Sequence, residues 1–231
     1  MVDIRLFYRE QGDGEALVLL HGNGESCDYF KHQIPVFSRH YHVFAVDTRG
    51  HGQTPRGTKP FTLSQFADDL RDFFDAHGIK QAHVLGFSDG GNIALIFALR
   101  YPERVKSLIL NGANLEPEGV RRRYQWPIEA GYRLTNLFAR RSEEAAQRHA
   151  LLALMVEEPH IAPESLASLT VPALVIAGTH DMIAEKHTRL IARSIPGAQL
   201  RLLDGDHFIA AKQPQAFNNA VLAFLKTCEP V

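Results

Sequence analysis

Ala82-His83-Val84-Leu85-Gly86-Phe87-Ser88-Asp89-Gly90-Gly91-Asn92-Ile93 is the stretch that decides the fold. An apolar strand, Ala82 to Leu85, runs into Gly86-Phe87-Ser88-Asp89-Gly90, and a helical run follows from Gly91 to Tyr101. A G-x-S-x-G pentapeptide at a strand-to-helix junction holds its serine in a strained turn. The flanking glycines remove side chains that would collide where strand, turn and helix approach one another. The Ser88 hydroxyl is then exposed above a sheet, and the helix aims its positive N-terminal end at developing negative charge. The competing reading is a serine that merely caps the helix. The two glycines, and the residues found elsewhere in the chain, favour the nucleophile.

A serine hydroxyl needs a base to take its proton at neutral pH. Of the 12 histidines, His207 lies just beyond the strand Gln199 to Leu203, in Asp204-Gly205-Asp206-His207-Phe208, on a late carboxyl-edge loop. His40 and His42 share a strand face but have no further ligands, so a metal site is not expected. His180 adjoins the candidate acid and shapes its loop. The third member is a carboxylate that fixes the imidazole tautomer. Asp181, in Ala177-Gly178-Thr179-His180-Asp181, follows the strand Val171 to Ile176 and returns to the edge that carries Ser88 and His207. Glu116, after the preceding strand, is a rival. Asp206 is a weaker one, because the neighbouring ring would have to fold back. The remaining need is a pair of donors for an oxyanion. His21-Gly22-Asn23-Gly24 follows the strand Ala16 to Leu20, and the backbone N–H groups of Asn23 and Asp89 are the expected donors.

Outward from the elbow, about seven β-rich runs alternate with amphipathic segments: Ile4 to Arg9, Ala16 to Leu20, His42 to Val46, Ala82 to Gly86, Val105 to Leu110, Val171 to Ala177 and Ala198 to Leu203. That order predicts an α/β fold of three layers, a mostly parallel sheet of seven or eight strands with helices on both faces. Thr62 and Gln65 match a capping box, and Phe61 and Phe66 occupy the positions of a hydrophobic staple. Phe66, Leu70, Phe73 and Phe74 then follow helical spacing toward the sheet. The alternation breaks between Asn111 and Thr170. Residues 116–170 read as a small inserted helical cap, helical to about Arg140 and again from Ser142 to Glu158, which roofs the carboxyl edge where open α/β sheets bind ligands.

With 231 residues and 45% hydrophobic content, the chain suits a single domain with this insertion. A formal net charge of -1 gives no general attraction for nucleic acid or an anionic membrane. The expected partner is a small molecule; oligomeric state is not indicated. Met1 to Glu10 lacks the pattern of a secretory signal, and no apolar run is long enough to span a bilayer. Two cysteines far apart, Cys27 and Cys228, form neither a disulfide framework nor a zinc site, which points to the cytoplasm.

Five segments together resemble the successive landmarks of the α/β-hydrolase superfamily: His21 to Gly24, Asp47-Thr48-Arg49-Gly50-His51-Gly52, Gly86 to Gly91, Ala177 to Asp181, and His207-Phe208. The likeness spans nearly the whole chain. It departs at Asp206, where a glycine often precedes the histidine. The resemblance implies a serine hydrolase of the carboxylesterase kind, cleaving a small-molecule ester without metal or organic cofactor. Lactone hydrolysis, carbon–carbon bond hydrolysis or peracid formation use the same triad, and a non-catalytic sensor on the scaffold is a different class of reading. An aspartate at the elbow, as in haloalkane dehalogenases and epoxide hydrolases, is absent.

Substrate choice is expected to lie around the elbow and the cap. The elbow resembles that of the biphenyl-hydrolase-like and amino-acid-ester hydrolase group, so the Asp89 carboxylate either favours a substrate amino group near the scissile carbonyl or turns into a structural hydrogen-bond network. Tyr124 and Trp126 are candidates to line an apolar pocket, with Tyr132 and Phe138 beside them; aromatic residues on short helices also hold a cap together. Arg121, Arg122 and Arg123, with Glu116, Glu118 and Glu129 nearby, read as a mixed, solvated surface.

Overall fold

The computed structural model describes residues 3–228. Seven strands form one sheet: β1 (Tyr8–Gln11), β2 (Ala16–Leu20), β3 (His42–Val46), β4 (Ala82–Phe87), β5 (Val105–Asn111), β6 (Ala173–Gly178) and β7 (Gln199–Leu203). Their order is β1-β3-β2-β4-β5-β6-β7. Only the edge strand β1 runs antiparallel, against β3. The helices are α1 (Ile34–Phe37), α2 (Leu63–Ala76), α3 (Asp89–Arg100), α4 (Arg122–Phe138), α5 (Glu143–Glu157), α6 (Glu185–Ser194), α7 (Ile209–Lys212) and α8 (Pro214–Lys226).

Strand periodicity produces the three layers. In β2, Val18 and Leu20 join a core with Phe66 and Phe74 of α2, Ile93 and Phe97 of α3 and Ile191 of α6. Leu17 and Leu19, on the opposite face, pack with Ile34 and Phe37 of α1 and Phe217 and Val221 of α8. All four β2 residues are buried, as a strand covered on both sides requires. The predicted sheet and layers are therefore present.

The first strand begins later than the sequence pattern suggests, at Tyr8 rather than Ile4. Phe7 gives its N–H to the Thr54 hydroxyl (2.8 Å) while its carbonyl accepts from the Asp47 amide (2.8 Å), so the chain is held there partly by a side chain. At the N-terminus of α2, the Thr62 hydroxyl accepts from the Gln65 amide (3.1 Å), and the Phe61 and Phe66 rings meet at 4.9 Å. The return half of the capping box goes elsewhere: the Gln65 side chain donates to Asp69, and Glu158 accepts from the Leu63 amide (2.8 Å). Asp69 also grips the fully buried Arg49 through two 2.7 Å bonds, which ties the Asp47 to Gly52 loop to α2.

Between β5 and β6 lie α4, α5 and two short 3₁₀ turns; an isolated bridge, Val120 to Ile183, and the bond from the Leu63 amide to Glu158 tie the segment to the rest of the fold. No described helix is long and apolar enough to cross a membrane.

Candidate active site

Every group of the predicted triad leaves a strand at its carboxyl end. Ser88 follows β4 directly and has φ 53° and ψ −121°; it is the one described non-glycine residue with a positive φ. Its surroundings over-determine that strain. The Ser88 N–H donates to the Asn111 carbonyl (2.8 Å), and its own carbonyl accepts from the Gly91 (2.8 Å) and Asn92 (3.1 Å) amides. A Cβ on Gly90 would lie 2.1 Å from the Leu20 carbonyl oxygen. The helix that starts at Asp89 can approach β2 this closely only through glycine.

His207 lies on the loop between β7 and α7, with Nε2 3.0 Å from Ser88 Oγ and Nδ1 2.7 Å from Asp181 Oδ1. The same Asp181 oxygen accepts the Ile183 amide at 2.9 Å. A carboxylate facing Nδ1 places the proton there, leaving the Nε2 lone pair toward the hydroxyl. Asp181 and His207 are both buried. The ring is backed by Phe87, 4.8 Å away, and by Gly112, where an added Cβ would come within 2.7 Å of His207 Cε1. Nothing in the sequence pattern singled out Gly112. Its role appears only once β5 is set beside β6.

The rival groups are engaged otherwise. Asp206 accepts from the Phe208 amide and from Lys212 Nζ. Glu116 enters the network described below through its backbone carbonyl. His180 is exposed beside Thr179 and Asp204, and His42 pairs with Glu10 at the far side of the sheet. Among the described residues, no group of three metal-ligating side chains comes together.

On the other side of Ser88, the His21 to Gly24 loop is fixed from beneath. His21 Nε2 accepts the Thr48 amide (3.0 Å), so Nδ1 carries the proton and donates to the Gly22 carbonyl (2.7 Å). Burial, then the neighbouring His51, hold the His21 pKa down to about 4, which keeps this ring neutral. Among the described residues, the Asn23 and Asp89 amides have no intramolecular acceptor. Asp89 follows Ser88 at the first turn of α3, where the helix dipole is positive, and Asn23 lies in the loop after β2, bonded through its side chain to Asp89.

The Asp89 side chain belongs to a hydrogen-bond network. Its buried carboxylate accepts from Asn23 Nδ2 (2.9 Å) and Asn92 Nδ2 (3.4 Å), and burial raises its pKa. Asn92 exchanges two bonds with Asn114, which reaches on to the Glu116 carbonyl. Asn23 also donates to the Leu151 carbonyl (2.8 Å), so one amide side chain joins the His21 to Gly24 loop, the elbow and α5.

Glu25 was not expected here. Its Oε2 accepts from the Gly22 amide (3.3 Å), and burial pushes its pKa up to about 7 against the pull of that amide and of His207. Tyr29, one turn on, stacks on Phe87 at 4.3 Å. No motif marks Glu25, because its place depends on the loop after β2 folding back over itself. Tyr124 and Trp126 are not brought to this cluster. Trp126 is 69% exposed, and neither ring contacts Ser88, Asp181 or His207. The reason is rotational: Gln125, Tyr132 and Thr135 use the inward face of α4 against Met155, Glu157 and His149 of α5, which turns Trp126 outward.

A family profile described as alpha/beta hydrolase fold matches residues 15–158. The chain is 30% identical to the RutD protein of Azorhizobium caulinodans, provisionally assigned as a carbamate hydrolase, over 96% of this chain and 95% of the relative. It is 28% identical to 3-oxoadipate enol-lactonase 2 of Acinetobacter baylyi, covering 97% and 94%. Among solved structures, the meta-cleavage product hydrolase CumD of Pseudomonas fluorescens IP01 superimposes with a TM-score of 0.80 at 26% identity, over 98% of this chain and 96% of that one.

Proposed function

The chain belongs to the alpha/beta hydrolase fold family, and on that footing we propose that it is a serine hydrolase cleaving a carboxylic ester of a small molecule through an acyl-serine intermediate. One observation carries the reading: Ser88 Oγ stands 3.0 Å from His207 Nε2, whose opposite nitrogen is held 2.7 Å from Asp181.

The steps follow from that alignment. Ser88 Oγ attacks the ester carbonyl as its proton passes to His207 Nε2. Asp181 keeps Nδ1 protonated and stabilises the imidazolium. Negative charge developing on the carbonyl oxygen meets the Asn23 and Asp89 amides, each worth about 3 kcal/mol in the transition state. The tetrahedral adduct collapses, the alcohol leaves with the proton from His207, and a water activated by the same imidazole releases the acid. A lactone is an internal ester and follows the same path. The enol-lactonase name of the Acinetobacter relative is in keeping with that extension.

A panel of short- and long-chain acyl esters, amino-acid esters, lactones, carbamates and amides, run beside Ser88→Ala, tests the proposal. Turnover of an ester or lactone that disappears in Ser88→Ala supports it. Tight binding without turnover of any compound would point to a sensor instead, and turnover surviving in Ser88→Ala would overturn the mechanism.

A further inference from the structure

The outer face of α4 is apolar and cationic at once. Trp126 (69% exposed), Leu134 (58%) and Leu137 (67%) are exposed large hydrophobics on this helix, with Phe138 (45%) at its end. Positions 126, 130, 133, 134 and 137 follow the spacing of a single helix face. One of them is Arg133, and the exposed Arg140 and Arg141 lie in the turn just past the end of α4. Residues 121–141 contain six arginines and one acid, Glu129, in a chain whose overall charge is -1. The chain-wide charge therefore hides a strongly positive element.

We propose that this face of α4 docks on an anionic lipid surface, the aromatic and leucine side chains entering the headgroup boundary and the arginines pairing with lipid phosphates. Charge complementarity selects this occupant. A second copy of the chain, set antiparallel on α4, would place Arg121 to Arg123 against Arg140 and Arg141; set parallel, it would place each arginine group against itself. Like charges meet in both cases, which opposes association. A helix with Trp, Leu and Phe among arginines on an exposed face, and polar contacts to its own protein on the other, has the composition of an interfacial helix. Its inward bonds, from Gln125 to Met155 and from Thr135 to His149, hold it against α5 and leave the outer face free. Neither the charge nor the exposure depends on the hydrolase chemistry proposed above.

Trp126 is the sole tryptophan, so the intact protein reports directly on this face. Its emission is titrated with vesicles of phosphatidylcholine alone and with vesicles containing about one third phosphatidylglycerol. The expected result is a shift to shorter wavelength with the anionic vesicles only, reversed by high salt. Arg140→Gln combined with Arg141→Gln weakens binding by roughly 25-fold, about fivefold per arginine. Leu137→Ser with Phe138→Ser removes most of the shift, while circular dichroism of both variants stays unchanged. No shift, or an equal shift with both vesicles, overturns the proposal. So does a lipid-free shift that grows with protein concentration, which identifies a second copy, or one produced as well by soluble polyglutamate, which identifies an acidic protein partner.

Discussion

In α3, nine of the twelve residues are buried, and its first turn is pressed against β2 through Gly90. In α4, a helix of 17 residues, Gln125 alone is buried. The first region holds a strained serine and its partners from several directions, so moving one atom disturbs many. The second is attached mainly along one side, to α5, and its outer half faces solvent. The groups proposed for catalysis, which need fixing within a fraction of an ångström, sit on the dense side of the molecule, and the face proposed for docking sits on the sparse side.

Breaking the dense side has the largest expected effect. Asp181→Asn leaves the packing in place but offers His207 the wrong partner at Nδ1, and kcat should fall by about 10⁴-fold on any ester the protein turns over. A steady-state assay with the folded variant checks this. Gly90→Ala tests the packing itself: the new methyl meets the Leu20 carbonyl oxygen, so urea denaturation should show a loss of about 3 kcal/mol, the upper part of the usual overpacking range.

Asn23 connects the dense region to α5, the helix against which α4 packs, through Asp89 on one side and Leu151 on the other. Asn23→Ala keeps the backbone amide but leaves the buried Asp89 carboxylate with only the longer Asn92 bond. Stability should fall by about 1–3 kcal/mol, and KM should change more than kcat, because α5 is loosened while the backbone amides proposed as oxyanion donors remain.

The smallest effect concerns charge in the loop after β2. Folded Glu25 keeps its proton to about pH 7, whereas the unfolded chain releases it near 4.5. Across that window the folded state binds more protons, so this group makes stability fall as pH rises. His21 acts in the opposite sense: its folded pKa is about 4 against an ordinary 6.5, so stability falls as pH drops through that interval. Glu25→Gln should therefore gain stability relative to wild type at pH 7.5 but not at pH 4.5, and should retain the acid-side loss, as read from urea midpoints at the two pH values.

How much of this was legible in the sequence follows the same division. Strand periodicity and the G-x-S-x-G junction placed Ser88, and loops directly after strands placed Asp181 and His207, because a parallel sheet brings all such loops to one edge. Residues whose roles depend on contacts across the sequence carried no such mark. Gly112 matters because of a ring 95 positions away, Glu25 because of a folded-back loop, and the Gln65 side chain turns along α2 to Asp69. On α4 the aromatic residues were legible as apolar but not by facing. Their rotation is set by α5, and the sequence offers no period by which to tell pocket from surface.

The central claim is that Ser88 is an activated nucleophile, and covalent capture tests it most directly. Wild-type protein incubated with a fluorophosphonate should gain the mass of one phosphonyl group. Peptide mapping should place it on Ser88, and Ser88→Ala should gain nothing under the same conditions. An unlabelled wild type, or a label that persists in Ser88→Ala, would contradict the account.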